Sequence, residues 1–218
     1  MKRTIAAIMI GMVMGVTVMV QCQSQTEPRE VLQVVELPEP DTDGQMSVER
    51  AIHNRRSIRQ FTEQQLTIEQ LGQLSWAAQG ITEPARGLRA APSAGATYPL
   101  EMYLVTPDGV FHYRPDDHTL QQVGATDLRP ELASAALGQA HVQQAPLDIV
   151  ITGVYQRTAQ RYGDRARRYV HMEAGHAAEN IHLQAVALGL GSVPVGAFED
   201  EQVAELLDLP AEERPLYI

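Results

Sequence analysis

The segment LDIVITGV, residues 147–154, constrains the fold of this chain more than any other stretch. It is short, mostly apolar and rich in Ile and Val, which predicts a strand rather than a helix. Apolar residues at nearly every position predict that both faces are buried, as in the middle of a sheet. A hairpin is predicted from LEMYLV and VFHY, which are joined by the turn sequence TPDG.

Helices are predicted from capping residues and from apolar residues at helical spacing. Because these helices alternate irregularly with the strands, the predicted fold class is α+β. The predicted helices are 47–53 with Ser47 as N-cap, 67–79 with Thr67 and Gln70 as a capping box, 128–140, and the Ala-rich 167–188 ended by Gly189.

The N-terminal residues predict a targeting segment, a linker and one folded domain. Lys2 and Arg3 precede an uncharged, mostly apolar run, 5–20, which is the pattern of an export signal. The linker is predicted because the residues that follow are rich in Pro and Glu. The expected location is exported, periplasmic or membrane-anchored in a bacterium. The expected parts are a signal peptide or N-terminal anchor over 1–22, a flexible linker over 23–45 and a folded domain over 46–218.

Charge and cysteine content argue against several classes of function. The 218-residue chain has a formal net charge of -10, which argues against nucleic acid as a partner. Its single cysteine, Cys22, can form no intrachain disulfide and no cysteine-based metal or redox centre. Cys22 follows the apolar run, as in bacterial lipoproteins, but Gln21 stands where those proteins carry a small residue. Lipidation and an unmodified residue beside a cleavage site both stay open.

The stretch RRSIRQF, residues 55–61, is a candidate anion site. Arg55, Arg56 and Arg59 supply charge-assisted donors, and the hydroxyl of Ser57 lies between them. Three arginines so close together are poorly explained by core packing and suit a phosphate group. The alternative is a solvated basic face at the end of a helix.

Two stretches of small residues are candidates for main chain that lies close to a ligand. APSAGATYPLEMYLV places Ala94, Gly95 and Ala96 just before a predicted strand, and GLGSVPVGAF contains Pro-Val-Gly at 194–196. Since such residues put little side chain in the way, a flat ligand can approach the backbone. Each stretch is also compatible with an ordinary turn.

Five segments in this order resemble the FMN-dependent nitroreductase-like superfamily, and within it the group of SagB-type dehydrogenases. They are RRSIRQF, LGQLSWAAQGIT, APSAGATYPLEMYLV, RYVHMEAGHAAENIHLQAVALGLGSVPVGAF and RPLYI. The resemblance extends from about residue 47 to residue 218. The resemblance implies an α+β fold, with a mixed sheet flanked by helices and FMN at the interface of a homodimer. Chains of this family continue beyond the strand that ends in LYI, which raises a truncated C-terminus as an expectation.

The resemblance also implies which residues hold the cofactor. The arginine stretch matches the site of the FMN phosphate and ribityl chain. The Pro-Ser-Ala-Gly stretch matches a segment that runs along the flavin from across the dimer, and Pro-Val-Gly matches backbone against the ring near N5. The implied residues are Arg55, Arg56, Ser57, Arg59, Pro92, Ser93, Ala94, Gly95, Pro194, Val195 and Gly196.

The implied function is that of an FMN-dependent oxidoreductase of the nitroreductase or dehydrogenase type. FMN passes hydride through N5 from a reduced donor, with NAD(P)H as a candidate, to a small organic or peptide substrate. No catalytic residue is assigned, because the cofactor carries most of the chemistry. Peptide-modifying members use a Lys-Tyr pair, but Lys2 is the only lysine here, so azoline oxidation is less favoured than a reductase role. The alternatives are a redox-inactive flavin-binding protein and a membrane-tethered interaction module.

Two further patterns have alternative interpretations. Tyr98 is either a polar group at the mouth of the site or a half-buried core tyrosine. Arg157, Arg161 and Arg165 recur every four residues. They form either a solvated helical face or part of a lid that attracts an acidic substrate.

Two Glu-x-x-His motifs, Glu173 with His176 and Glu179 with His182, have the spacing of ferritin-like di-iron helices. Both lie on one predicted helix and are rotated by roughly 120° about its axis. They cannot enclose one metal centre, so no metal is expected.

Overall fold

The structure, a computed structural model, describes residues 29–218. The expected signal peptide or anchor over 1–22 and the possible lipidation of Cys22 lie outside these residues. Within 29–218, no helix is both long and apolar enough to cross a bilayer.

An antiparallel sheet of six strands forms the centre of the domain, and a separate ribbon of two strands lies beside it. The strands are β1 Gln33–Glu36, β2 Ile81–Glu83, β3 Leu88–Arg89, β4 Leu100–Thr106, β5 Gly109–Arg114, β6 Thr119–Gly124, β7 Asp148–Val154 and β8 Glu213–Tyr217. The large sheet has the order β1-β6-β5-β4-β7-β8. Every neighbouring pair is antiparallel, so the sheet of the described residues is antiparallel rather than mixed.

Seven α-helices within residues 29–218 surround the sheet. They are α1 Val48–Asn54, α2 Ile68–Gln79, α3 Arg129–Ala135, α4 Ala140–Gln144, α5 Tyr155–Tyr162, α6 Ala166–Ala187 and α7 Asp200–Leu206. The N-cap at Ser47 and the capping box of Thr67 with Gln70 are confirmed. The single helix predicted over 128–140 is wrong, because Leu137 and Gly138 adopt positive φ angles and separate α3 from α4.

Apolar side chains cover both faces of the sheet, which confirms the buried central strand. On one face, Tyr103, Val105 and Val150 pack with residues of α3, α4 and α7. On the other face, Leu104 and Ile151 pack with residues of α2 and α6. Since consecutive residues of a strand point to opposite faces, Val150 and Ile151 of β7 contribute to different layers. The α+β class is therefore confirmed.

Part of the expected flexible linker, 23–45, belongs to the folded domain, which corrects the boundary at residue 46. Strand β1 lies at the edge of the sheet, and the N–H of Leu32 donates to the carbonyl of Gln122 at 2.9 Å. The side chain of Gln73 accepts from the N–H of Asp41 at 2.8 Å and donates to its carbonyl at 2.9 Å. Pro and Glu content did not reveal these contacts, because the main chain makes most of them.

Candidate functional site

The arginine stretch and the Pro-Val-Gly stretch meet in the structure. Ser57 and Ser192 form a parallel β-bridge, and the N–H of Ile58 donates to the carbonyl of Ser192 at 3.0 Å. These contacts join the segment after α1 to the segment after α6. Two of the three predicted site segments therefore lie side by side.

The junction depends on the absence of a side chain at Gly191 and on a buried histidine. A Cβ on Gly191 would lie 2.9 Å from the Cβ of Ile58, so a larger residue would push the two segments apart. Nδ1 of His182 and Oγ of Ser192 share a hydrogen bond of 2.7 Å. Burial lowers the pKa of His182, which favours the neutral ring. His182 thereby fixes the segment that carries Ser192.

The arginine stretch presents positive charge to solvent. Ser57 and Arg59 are exposed and Arg55 is half-buried, with its Nε 3.9 Å from Oε1 of Glu179. Arg56 folds back, and its Nη1 donates to two main-chain carbonyls at 2.6 and 3.0 Å. Because alternate residues of an extended segment share a face, Arg55, Ser57 and Arg59 form the surface suited to a phosphate.

The Pro-Val-Gly stretch is held by the end of the sheet. Val195 exchanges two main-chain hydrogen bonds with Ile218, of 2.6 and 3.0 Å, and its side chain is buried in the core. Pro194 is half-buried and Gly196 is exposed. A Cβ on Gly196 would touch only the ring of Tyr217, at 3.8 Å. Val195 therefore anchors the stretch, while Pro194 and Gly196 form a surface from which little side chain projects.

The Pro-Ser-Ala-Gly stretch packs against α5. Gly95 has a φ of 61°, and a Cβ on it would lie 2.7 Å from the hydroxyl oxygen of Tyr162. Nη1 of Arg161 donates to the carbonyl of Gly95 at 3.3 Å. Pro92 is exposed, whereas Ser93 is half-buried.

Contacts along α6 show that this stretch is separate from the arginines within one chain. Ser93 lies beside Glu173, whereas Arg55 lies beside Glu179. Six residues of helix correspond to about 9 Å along its axis. One chain therefore joins the first and third predicted segments through the bridge of Ser57 and Ser192, whereas the second segment lies beside an earlier turn of α6.

Tyr98 supports this stretch, which favours the structural interpretation of that residue. Its hydroxyl accepts from the N–H of Arg89 at 3.2 Å, and the guanidinium carbon of Arg89 lies 4.6 Å from the ring centroid. Arg157 donates to the carbonyl of Tyr98 at 3.0 Å. Arg157 and Arg161 thus bind main chain at the Pro-Ser-Ala-Gly stretch, while Arg165 is exposed.

The two Glu-x-x-His motifs do not converge. Glu173 and His182 are buried, whereas His176 and Glu179 are exposed, so each motif has one member in each environment. Within residues 29–218, no group of three or more His, Cys, Asp or Glu side chains is arranged to hold a metal.

A cavity of about 500 Å³ lies behind the joined segments. Ile58, Gln60 and residues 189–195 line it, whereas the arginines do not. Nε2 of His141 and Oδ2 of Asp148 are buried without hydrogen-bond partners. Burial lowers the pKa of His141 and raises that of Asp148, so both neutral forms are favoured.

Comparison with known sequences identifies the family. Residues 52–218 match the model of the Nitroreductase family. The chain belongs to the Nitroreductase family. It is 41% identical over 190 residues to MJ1384 of Methanocaldococcus jannaschii, a protein named as a nitroreductase, with 84% of this chain and 94% of the relative covered.

A second relative confirms the resemblance to the SagB-type group. The chain is 25% identical over 155 residues to the microcin B17-processing protein McbC of Escherichia coli. The match covers 66% of this chain and 57% of McbC.

Solved structures confirm the nitroreductase fold. A crystal structure of a nitroreductase homologue from Ralstonia eutropha has a TM-score of 0.77 and 34% identity, with 88% of each chain covered. The NADPH:FMN oxidoreductase from Vibrio harveyi, solved with NAD+, has a TM-score of 0.58 and 28% identity. That match covers 78% of this chain and 65% of the other. This membership supports oxidoreductase activity.

Sequence patterns did not reveal the residues that hold the site segments in place. Ser192 lies within the quoted stretch GLGSVPVGAF, but nothing in its spacing showed that it pairs with Ser57. The sequence pattern indicated His182 and Glu173 only as possible metal ligands. In the structure both are buried, His182 is hydrogen-bonded to Ser192, and Glu173 lies beside Ser93. The sequence did contain one signal for these residues, namely polar side chains on the buried face of an Ala-rich helix, because buried polar groups need partners.

Proposed function

We propose that this protein is an FMN-dependent oxidoreductase of the nitroreductase or dehydrogenase type. The observation that carries the proposal is the bridge between Ser57 and Ser192. It places an exposed group of arginine donors beside a stretch of main chain with small side chains. A phosphate-bearing cofactor with a flat ring needs both features next to each other.

The residues present suit FMN in chemistry and in space. Arg55, Ser57 and Arg59 offer donors to the phosphate on one exposed face. Gly196 and Pro194 offer a surface on which a flat ring can lie. Gly196 has no Cβ to project from the backbone into the space that the ring would fill. FMN, when bound, supplies acceptance and donation of hydride at N5. The chain itself binds the phosphate and holds the flavin-facing backbone through Val195.

We infer that a homodimer completes the site, with residues 92–95 supplied by the second copy. The resemblance described above supports the inference. A mixing experiment tests it, since Arg59→Ala and Gly95→Val each impair a different half of the same site. Dimers exchanged between these two variants should regain FMN binding at about a quarter of the sites. No recovery after demonstrated subunit exchange would place both segments in one chain.

The proposed donor is NAD(P)H, and the proposed substrate is a small organic molecule or a peptide. The Vibrio harveyi relative is named as an NADPH:FMN oxidoreductase, and McbC is named for processing microcin B17. These names support, for this chain, a reduced nicotinamide donor and a substrate range that includes peptides.

The proposed location is exported, periplasmic or anchored to a membrane. Support comes from Lys2 and Arg3 followed by the apolar run 5–20. Fractionation of cells that express the full chain tests this proposal, and recovery only in the cytosolic fraction would contradict it.

Reduction of the purified full-length protein tests the function. After loading with FMN, anaerobic addition of NADPH or NADH should bleach the visible flavin band, and a nitroaromatic or quinone acceptor should restore it. Protein that binds FMN but is reduced by neither nucleotide, while dithionite bleaches it, would instead be a redox-inactive flavin-binding protein.

A further inference from the structure

A carboxylate beside the Pro-Ser-Ala-Gly stretch has no part in the function proposed so far. Glu101 lies in β4, and its side chain is 14% exposed. Its Oε2 accepts from Nε2 of His112 on β5 at 2.8 Å, and its Oε1 accepts from Nη2 of Arg157 on α5 at 2.5 Å. Burial raises the pKa of Glu101, but these two partners outweigh burial and lower the pKa to about 2. Glu101 is therefore an ionised acceptor with a partner on each oxygen.

Arg157 joins this carboxylate to the main chain of the stretch. Its Nη2 donates to Glu101, while its Nη1 donates to the carbonyl of Tyr98 at 3.0 Å. Both donors belong to one planar guanidinium, so a partner that fixes one of them also fixes the direction of the other. The side chain of Arg157 is 41% exposed. An arginine this open to solvent has many conformations available, and the bond to Glu101 favours the one that reaches Tyr98.

The main chain that Arg157 holds is strained. Gly95, Ala96 and Tyr98 have φ angles of 61°, 53° and 44°. Alanine and tyrosine adopt this left-handed conformation only where surrounding contacts stabilise it. The carbonyl that accepts from Arg157 belongs to the last of these three residues. Loss of that contact therefore removes a restraint just before the chain enters β4.

Helix α5 makes two further contacts with the same stretch. Oγ1 of Thr158 and Oγ1 of Thr97 share a hydrogen bond of 2.8 Å, which joins two neutral groups. Nη1 of Arg161 donates to the carbonyl of Gly95 at 3.3 Å. Charge-assisted hydrogen bonds are roughly twice as strong as those between neutral groups. Of the two arginine contacts, the one from Arg157 is the shorter, and a carboxylate orients its donor.

We propose that Glu101 is a positioning residue, which orients Arg157 so that the guanidinium holds residues 92–98 in their flavin-facing conformation. The proposal rests on the proposed function, in which residues 92–95 lie along FMN. Glu101 binds Arg157, and Arg157 in turn binds the stretch. The effect of Glu101 on the stretch therefore requires Arg157.

Amide hydrogen exchange of the flavin-free full-length protein tests the proposal. The N–H groups of Ala96, Thr97 and Tyr98 donate to acceptors in residues 93–94. Their exchange therefore reports opening of the stretch itself. In Arg157→Ala these three amides should exchange at least about tenfold faster than in the wild type, because a hydrogen bond from a charged donor is lost.

Glu101→Gln keeps the shape of the side chain but removes its charge. The same amides should exchange about fivefold faster in this variant, since a neutral acceptor orients Arg157 less firmly. Asp127→Asn is the matched control, because it weakens an ion pair of 2.7 Å with Arg129 elsewhere in the domain. This control should leave exchange of the stretch unchanged.

The double variant separates positioning from a general contribution to stability. If Glu101 acts through Arg157, the combined Glu101→Gln and Arg157→Ala variant should match Arg157→Ala within about twofold, because the carboxylate then has nothing to orient. Independent contributions would instead multiply. Amides of β7 should exchange at the same rate in Glu101→Gln as in the wild type, since the effect is confined to the stretch.

Four results would overturn the proposal. They are unprotected amides of the stretch in the wild type, unchanged exchange in Glu101→Gln, multiplied effects in the double variant, and equal acceleration at the amides of β7. The last result would make Glu101 a general stabiliser of the fold. If Glu101→Gln does not fold, Glu101→Asp keeps the charge on a shorter side chain and must also accelerate exchange of the stretch.

FMN affinity, measured in parallel, distinguishes this proposal from the proposed function. Apparent affinity falls in proportion to the fraction of protein whose stretch is closed, so each variant should bind FMN more weakly to the extent that its stretch is open. FMN that binds equally well to an open stretch would overturn the role of Glu101 at the flavin. Because exchange needs no flavin, a protein that fails to bind FMN refutes the proposed function and leaves the exchange result to judge Glu101.

Discussion

Replacement of Arg59 by alanine gives a quantitative test of the phosphate surface. Arg59 is exposed, and no salt bridge joins it to a carboxylate within residues 29–218. A hydrogen bond to a charged group contributes about 1.5 to 3 kcal/mol, so Arg59→Ala should weaken FMN binding by about 10-fold to 150-fold. Its charge is fully available to the ligand.

Arg55 provides an internal comparison because Glu179 competes for it. The Nε to Oε1 distance is 3.9 Å, and the two side chains are 34% and 53% exposed. Such a pair contributes about 0 to 1 kcal/mol. The loss of FMN affinity in Arg55→Ala should therefore lie at the lower end of the range expected for Arg59→Ala. Glu179→Gln releases Arg55 and should raise FMN affinity by up to about fivefold.

Titration of the flavin-free protein with FMN, followed by quenching of flavin fluorescence, measures these effects. Arg168→Ala, which removes an exposed charge of the same kind on α6, is the matched control and should change affinity by less than about twofold. Equal effects of Arg59→Ala and Arg168→Ala would refute the reasoning. Weaker binding in Glu179→Gln would refute the role assigned to Arg55.

Three further outcomes are expected. Gly95→Val should lower thermal stability and flavin occupancy together, because its backbone is left-handed and a Cβ would lie 2.7 Å from the Tyr162 hydroxyl oxygen; normal occupancy would show an ordinary turn. Gly191→Ala should reduce FMN retention with helix content unchanged by circular dichroism, because its Cβ would displace Ile58. Burial raises the pKa of Glu173 from its ordinary value of 4.5 to about 7, so the protonated carboxyl is favoured in the folded state. This contribution to the free energy of unfolding is complete below pH 4.5 and is lost as pH rises through about 7. Denaturant unfolding should show a loss of about 3 kcal/mol over that window, which Glu173→Gln removes; an equal slope in both proteins would contradict the assignment.

The sequence predicted those parts of the fold that depend on local chemistry. The N-cap at Ser47 and the capping box at Thr67 are local hydrogen bonds, so residue type and spacing were sufficient. The buried strand 147–154 was evident because its apolar residues are consecutive. The break at Leu137 was not evident, since a leucine with positive φ is stabilised by its surroundings rather than by its own preference.

The site was predictable as a set of segments but not as an arrangement. Small residues and arginines identified the stretches, whereas the pairing of Ser57 with Ser192 depends on tertiary contacts between distant parts of the chain. The environment of Glu173 was hidden for the same reason, because its neighbours Ser93 and Arg89 lie far from it in the sequence. Strand β1 was missed since its residues are mostly exposed and make main-chain contacts.

Equilibrium binding of FMN and of riboflavin to the purified full-length protein is the most direct test of the central claim. The two ligands differ only in the phosphate that Arg55, Ser57 and Arg59 are proposed to hold. Two charge-assisted contacts predict that FMN binds at least about 100-fold more tightly than riboflavin, and that the Arg55→Ala, Arg59→Ala double variant abolishes most of this preference. Equal affinity for both flavins in the wild type, or no binding of either, would contradict the account.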